Sequence, residues 1–241
     1  MTEYLVIMES TSLLNNLLWF IVQKRLNRKI DNVLIIETDS RVGNKFFKKL
    51  ALLQIKDICL FYKLKRKLAN FKVGEVFNNL EIEKFNSRNQ FNEWLLKKAE
   101  GTDVQIISVG CPFLINREVL TKLKRPPVNL HNSDTDKIRG QFGTFWEYAT
   151  NENSCVTFHF VDAGVDTGQK IVMRRINRNF TKSIFGILVL KKIIGGLLIA
   201  EYVNGDLKAT CTKTKPTVTK VQNWPTTLEI LRARVSGLLK L

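Results

Sequence analysis

Short apolar runs alternate with stretches of helical spacing through the first half of the chain. Tyr4–Met8 is the first run, and Ser10, Thr11 or Ser12 can cap a helix over Leu13–Leu26. Asp31–Glu37 holds Val33-Leu34-Ile35-Ile36, a composition suited to a strand buried on both faces. A basic helical region runs from about Asn44 to Leu68, with Phe47, Leu50, Leu53 and Ile58 between lysines. Arg88–Ala99 places Phe91, Trp94 and Leu95 at the period of an amphipathic helix. Val104–Val109 is the next buried strand; Cys111-Pro112-Phe113-Leu114 then breaks the pattern, and Asn116–Leu123 forms a short helix. Strand and helix in alternation predict a parallel α/β sheet.

The pattern changes at Pro126-Pro127. Val128-Asn129-Leu130-His131 is a strand ending in polar residues, followed by a loop over Asn132–Arg139, Gly140 and an aromatic helix around Phe145, Trp146 and Tyr148. Val156–Val161 is a strand, Asp162–Gly168 a tight loop, Lys170–Arg174 another strand and Thr181–Val203 a closing helix. In the tail, Asn204-Gly205 predicts a hairpin turn between strand-like segments, and Thr227–Leu239 a terminal helix.

In open parallel sheets, ligands bind beyond the carboxyl ends of the strands. Two polar clusters fall there: Asn129 with His131, and Asp162 with Asp166. An amide, an imidazole and a carboxylate in one cleft can orient a carbonyl, stabilise a developing oxyanion and move a proton. The second of the two histidines, His159, lies mid-strand between Phe158 and Phe160 and reads as a half-exposed structural residue.

Several chemistries are excluded by missing patterns. There is no G-x-G-x-x-G after the first strand, no complete phosphate loop around Gly43-Asn44-Lys45, no G-x-S-x-G elbow, and no H-x-E with P-C-x-x-C. Cys59, Cys111, Cys155 and Cys211 form no C-x-x-C pair, so no metal site is expected and the thiols read as reduced, as in the cytoplasm. The acidic start and the absent small-residue cleavage site argue against a signal peptide. Leu13–Val22 is too short to span a bilayer, and Ile184–Val203 carries Lys191 and Lys192 at its centre, so no membrane insertion is expected. A net charge of +16 over 241 residues favours an anionic partner without choosing one.

The run Asn129-Leu130-His131-Asn132-Ser133, then Arg139-Gly140, Trp146, and Val156-Thr157-Phe158-His159-Phe160-Val161-Asp162-Ala163-Gly164-Val165-Asp166-Thr167-Gly168, resembles the folate-dependent formyltransferases. Their pattern reads N-x-H-x-S, R-G, W and V-T-x-H-x-V-D-x-G-x-D-T-G, and the likeness covers about residues 105–175. It implies a Rossmann-like α/β catalytic domain with a mainly parallel sheet over 1–180. Residues 181–241 would add a helix, a β-hairpin and a terminal helix as a dimerisation element. The resemblance further implies that Asn129 holds the formyl oxygen. His131 would stabilise the oxyanion or take the amine proton, and Asp166 would fix the imidazole and aid proton removal. N10-formyltetrahydrofolate would lie against Cys111, Phe113, Leu114, Val161, Asp162, Gly164 and Val165. Ser10, Ser133, Arg139, Gly140, Phe145 and Trp146 would face the acceptor. Asn132 replaces the family's usual proline, and Asp134-Thr135-Asp136-Lys137 departs from L-P-x-x, so altered acceptor contacts are expected there.

The acceptor reading rests on two departures. Met8-Glu9-Ser10-Thr11-Ser12 lacks the glycines with which glycinamide ribonucleotide formyltransferases hold a phosphate. The 204–241 tail is too short for the C-terminal barrel of methionyl-tRNA formyltransferase. Sugar-nucleotide N-formyltransferases remain, with a nucleotide-linked amino sugar as substrate and a homodimer as the working form. Methionyl-tRNA and glycinamide ribonucleotide formyltransferases, a formyltetrahydrofolate hydrolase and an inactive RNA-binding scaffold are the alternatives, and nucleic acid is not expected as the partner.

Overall fold

The apolar runs become the inner strands of one sheet. The computed structural model of the chain describes residues 2–9, 12–37, 55–181, 183–207 and 220–235. In chain order these hold β1 (Glu3–Glu9), α1 (Leu13–Gln23), β2 (Ile30–Glu37), α2 (Ile55–Lys67), a 3-10 turn (Val73–Val76), β3 (Phe77–Lys84), α3 (Arg88–Ala99), β4 (Val104–Val109), α4 (Arg117–Lys122) and β5 (Val128–His131). There follow β6 (Arg139–Gly140), α5 (Gly143–Ala149), β7 (Ser154–Phe160), β8 (Lys170–Ile176), a second 3-10 turn (Arg178–Phe180), α6 (Ile184–Asn204), β9 (Val221–Gln222) and α7 (Thr227–Val235).

Seven strands lie in the order β3-β2-β1-β4-β5-β7-β8. β1 to β5 are parallel, whereas β7 and β8 are antiparallel to their neighbours. The mainly parallel α/β sheet predicted from the alternation is therefore present. Chain order reverses between β1 and β4, which leaves a crevice beyond their carboxyl ends.

Each face of the sheet has its own core. Leu18, Trp19 and Val22 of α1 and Ile187, Leu198 and Ile199 of α6 cover Val6, Met8, Ile107, Val128 and Leu130. On the other face Phe91 and Leu95 of α3 and Val119 of α4 cover Leu5, Ile7, Leu34, Ile36 and Ile106. Each fully buried side chain of this size contributes about 1.5–3 kcal/mol. Trp19 keeps its one polar group satisfied, its indole N–H donating to Met8 Sδ at 2.9 Å.

Local signals set several boundaries. Of the three capping candidates, Ser12 is the N-cap of α1, its hydroxyl accepting from Asn15 N–H at 3.2 Å. Ser87 and Ser183 cap α3 and α6 in the same way. The basic helix is observed as α2; residues 44–54 of the predicted span lie outside the described residues, as does Ser10.

Two readings change. β3 gave no signal in the sequence because it is an edge strand with Asn78, Asn79, Leu80 and Ile82 facing solvent, so no buried alternation marks it. The Asn204-Gly205 hairpin turn is overturned: Asn204 ends α6, and Gly205 caps it in the left-handed region at φ 82°, a conformation glycine reaches without a Cβ clash. β9 pairs in parallel with β6 instead, bringing residues 221–222 to the mouth of the crevice. No helix among the described residues is long and apolar enough to cross a membrane.

Candidate active site

The carboxyl ends of β1, β4 and β5 open into a cavity of about 750 Å³. β5 delivers Asn129 and His131, and the loop after β7 delivers Asp166. Asp166 has a left-handed backbone, φ 51°, which a short polar side chain tolerates better than a branched one. That turn points its carboxylate back toward β5.

All three side chains meet. Asp166 Oδ1 accepts from Asn129 Nδ2 at 3.3 Å, and Oδ2 accepts from the Gly140 N–H at 2.8 Å. His131 Nδ1 lies 3.4 Å from Oδ2, and His159 Nε2 lies 3.5 Å from Oδ1. His159 is not half-exposed as expected: it is buried, because β7 is covered on both faces and not an outer strand. Its Nδ1 lies 2.7 Å from the Phe160 carbonyl, which only accepts, so Nδ1 carries the proton. Nε2 is then an acceptor for the Asn129 amide at 3.1 Å.

His131 is fixed by its partners too. The Ile138 carbonyl takes the Ser133 hydroxyl proton at 3.0 Å, so Ser133 Oγ accepts from His131 Nε2–H at 2.6 Å. Neutral His131 therefore turns the lone pair of Nδ1 toward Asp166. Burial pushes the imidazole below its ordinary value, with His159 and Lys191 acting the same way and Asp166 opposing. Burial raises the Asp166 carboxyl, but at the acid pH where it titrates His131 is the imidazolium, and that charge, the His159 contact and the Gly140 N–H outweigh burial and hold it at about 2. A neutral base and an ionised carboxylate stand side by side, an arrangement able to accept one proton and hold the resulting cation.

The expected cofactor residues, Cys111, Phe113, Leu114, Val161, Asp162, Gly164 and Val165, all line the cavity. Leu114 is 43% exposed beside it, an apolar surface that a bound ring system would cover. Cys111 donates its thiol to the Phe113 carbonyl at 3.3 Å, and burial pushes that thiol up to about 12. Cys155 is likewise pushed up to about 12 by burial, whereas Cys59 is exposed. Alkylation at neutral pH should thus modify the Cys59 peptide well before the Cys111 and Cys155 peptides, as read by mass spectrometry. Early modification of Cys111 would contradict the described wall.

The acceptor-side expectations fare differently. Gly140 lines the cavity, but Ser133, Arg139, Phe145 and Trp146 do not. Ser133 stands behind His131, and Arg139 donates to the Thr135 carbonyl at 3.2 Å within its own loop. Phe145 is fully buried in the core, and Trp146 donates its indole N–H to the Asn223 carbonyl at 2.9 Å. Phe142 and Trp224 line the wall instead, stacked with ring centroids 4.7 Å apart. Helical spacing cannot tell which of two adjacent aromatics faces inward, and nothing local links Trp224 to residues so far upstream. His159 had a signal in the V-T-x-H run. The divergent 134–137 loop is pinned by Lys170, which donates to Asp134 at 3.0 Å and also to Asp136. Among the described residues no group of three His, Cys, Asp or Glu side chains could hold a metal ion.

No protein-family model matches the sequence, and no curated protein matches it. Solved structures do. A sugar N-formyltransferase from Shewanella sp. matches with a TM-score of 0.54 at 9% identity, over 96% of this chain and 87% of the other. Phosphoribosylglycinamide formyltransferase from Streptococcus pneumoniae matches with a TM-score of 0.56 at 18% identity, over 85% and 98%. A sugar 3N-formyl transferase solved with dTDP and 5-N-formyl-THF matches with a TM-score of 0.50 at 18% identity, over 95% and 77%. The strand order, the crevice at its reversal and these matches agree: the chain has the formyltransferase fold.

Proposed function

We propose that the chain is an enzyme that transfers a formyl group from N10-formyltetrahydrofolate to the amino group of a nucleotide-linked amino sugar. The observation that carries this reading is the meeting of Asn129, His131 and Asp166 at one end of a cavity walled by Cys111–Ile115 and Val161–Val165. The apolar flank at Phe113, Leu114, Val161 and Val165 fits a flat pterin. Bound there, the folate would supply the formyl group.

The remaining chemistry falls to the chain. Asn129 would turn one N–H from Asp166, the longer of its two contacts at 3.3 Å, to the formyl oxygen. His131 Nδ1 would take the proton that the attacking amine loses, Asp166 would hold the imidazolium so formed, and the same proton would pass to N10 of the departing tetrahydrofolate as the bond from N10 to the formyl carbon breaks. Lys192 of α6 also lines the cavity and, with Trp224 and Phe142, suits an acceptor carrying phosphate and a flat ring. The sugar assignment draws further support from the solved sugar 3N-formyl transferase that holds dTDP, and from the glycine-free 8–12 segment.

The test is a formyl-transfer assay with N10-formyltetrahydrofolate and a panel of nucleotide-linked 3-amino and 4-amino sugars, beside glycinamide ribonucleotide and methionyl-tRNA. Tetrahydrofolate release dependent on one amino sugar is the expected result. Release with glycinamide ribonucleotide or methionyl-tRNA alone would replace the acceptor, and release without any amine would make the chain a hydrolase.

A further inference from the structure

Behind the catalytic strand end, and outside the cavity lining, lies a buried ion pair. Lys191, in the middle of α6, has no exposed surface, and its Nζ meets Glu147 Oε2 of α5 at 2.6 Å. The same ammonium donates to the carbonyl of Asn132, the residue that follows His131. Glu147 is held in turn by the Ser154 hydroxyl at 2.7 Å and the Cys155 N–H at 3.2 Å. One residue further on, the Ser133 carbonyl accepts from Thr157 Oγ1 at 2.7 Å, and Ser133 Oγ receives His131 Nε2–H. The peptide after His131 is thus clamped from α6 on one side and β7 on the other.

We propose that Lys191, fixed by Glu147, is a positioning residue that holds the Asn132 peptide and thereby the His131 ring against Asp166. The proposal rests on the catalytic reading of His131 given above. A buried pair of this kind adds little net stability over an apolar pair of equal volume, so its value lies in what it orients. Its charge has a second effect. The groups around His131 are the Asp166 carboxylate at 3.4 Å, the His159 ring with its centroid 6.3 Å away, and Lys191 on α6. Asp166 favours the imidazolium, and Lys191 and His159 oppose it. Lys191 therefore helps to keep His131 in the neutral form that accepts a proton.

With only two histidines in the chain, ring proton and carbon resonances report each one separately. The test variant is Lys191→Met/Glu147→Met, which removes both charges together and leaves neither unpaired. His131 should then titrate at higher pH and its resonance broaden. Formyl-transfer kcat should fall about tenfold to a hundredfold with KM for the folate little changed, the mark of lost alignment. A folded double variant with wild-type kcat and an unmoved His131 titration overturns the proposal. If that variant does not fold, Lys191→Arg keeps the charge opposite Glu147 but displaces the donor from Asn132. It should lower kcat severalfold and broaden His131, and wild-type values for both overturn the proposal equally. Absence of formyl transfer in the wild type with every acceptor would sink the catalytic reading instead, and the His131 resonances would still decide the positioning.

Discussion

Asp166→Asn should lower formyl transfer by about a hundredfold to ten-thousandfold, the usual range for removing a positioned acid–base partner. Both Asp166 oxygens act as acceptors, one from Asn129 and one from the Gly140 N–H. An asparagine would put an NH₂ group against one of these donors and could not balance a positive charge on His131. The substitution should also cost stability, in a way that depends on pH. The carboxyl titrates at about 2 in the folded chain against 3.8 ordinarily, so the folded state prefers it ionised. That preference amounts to about 2 kcal/mol, present above pH 4 and lost as pH falls from about 4 toward 2. Denaturant melts of wild type and Asp166→Asn should therefore converge across that window. A well-folded Asp166→Asn with wild-type kcat would remove Asp166 from the mechanism, and a stability gap that stays constant from pH 5 to pH 2 would contradict its ionisation.

Gly168→Ala is the second large effect, and it acts on the loop that carries Asp166. A Cβ at residue 168 would stand 1.8 Å from the Phe160 carbonyl oxygen and 2.7 Å from its carbon. Both are backbone atoms of β7, and the Phe160 N–H is already tied to the Gln169 carbonyl at 2.9 Å, so no side chain can swing away to make room. The loop must lift off the strand. We expect a loss of about 3 kcal/mol, near the upper end for overpacking, and a melting temperature lower by roughly 6–12 °C. Activity should fall as well, because lifting residue 168 moves Asp166 relative to His131. Gly74→Ala is the control: its Cβ would meet only Leu80 Cδ1, at an ordinary 3.6 Å. Equal melting temperatures for the two variants would show that the 162–168 loop does not hug β7 as described.

The D-T-G ending of that loop illustrates how far the resemblance reached. It marked Gly168 as part of a pattern, but the need for glycine there comes from a carbonyl on a strand eight residues earlier in the chain. Phe145 and Trp146 make the opposite case. Two neighbouring aromatics on a short helix look alike as sequence, yet one is wholly in the core and the other bonds the Asn223 carbonyl. The aromatic wall of the cavity is built by Phe142 and Trp224 instead.

What the sequence determined by itself is everything governed by near neighbours. Runs such as Val33–Ile36 and Val104–Val109 read as buried strands because they are short, rich in valine and isoleucine, and too brief for a helix. The 10–12 segment starts a helix because a hydroxyl three residues ahead, that of Ser12, satisfies an orphan N–H group. Asn129, His131 and Asp166 were legible as a group because they stand at the ends of neighbouring units of a recognisable pattern. Only the tertiary structure decided the rest. The edge position of β3, the return of β9 to β6, the burial of His159 and the grip of Lys191 on Asn132 all depend on pairs far apart in the chain. Such pairs carry no local signature, since a residue's burial and its partner are set by the elements packed against it and not by its neighbours in sequence.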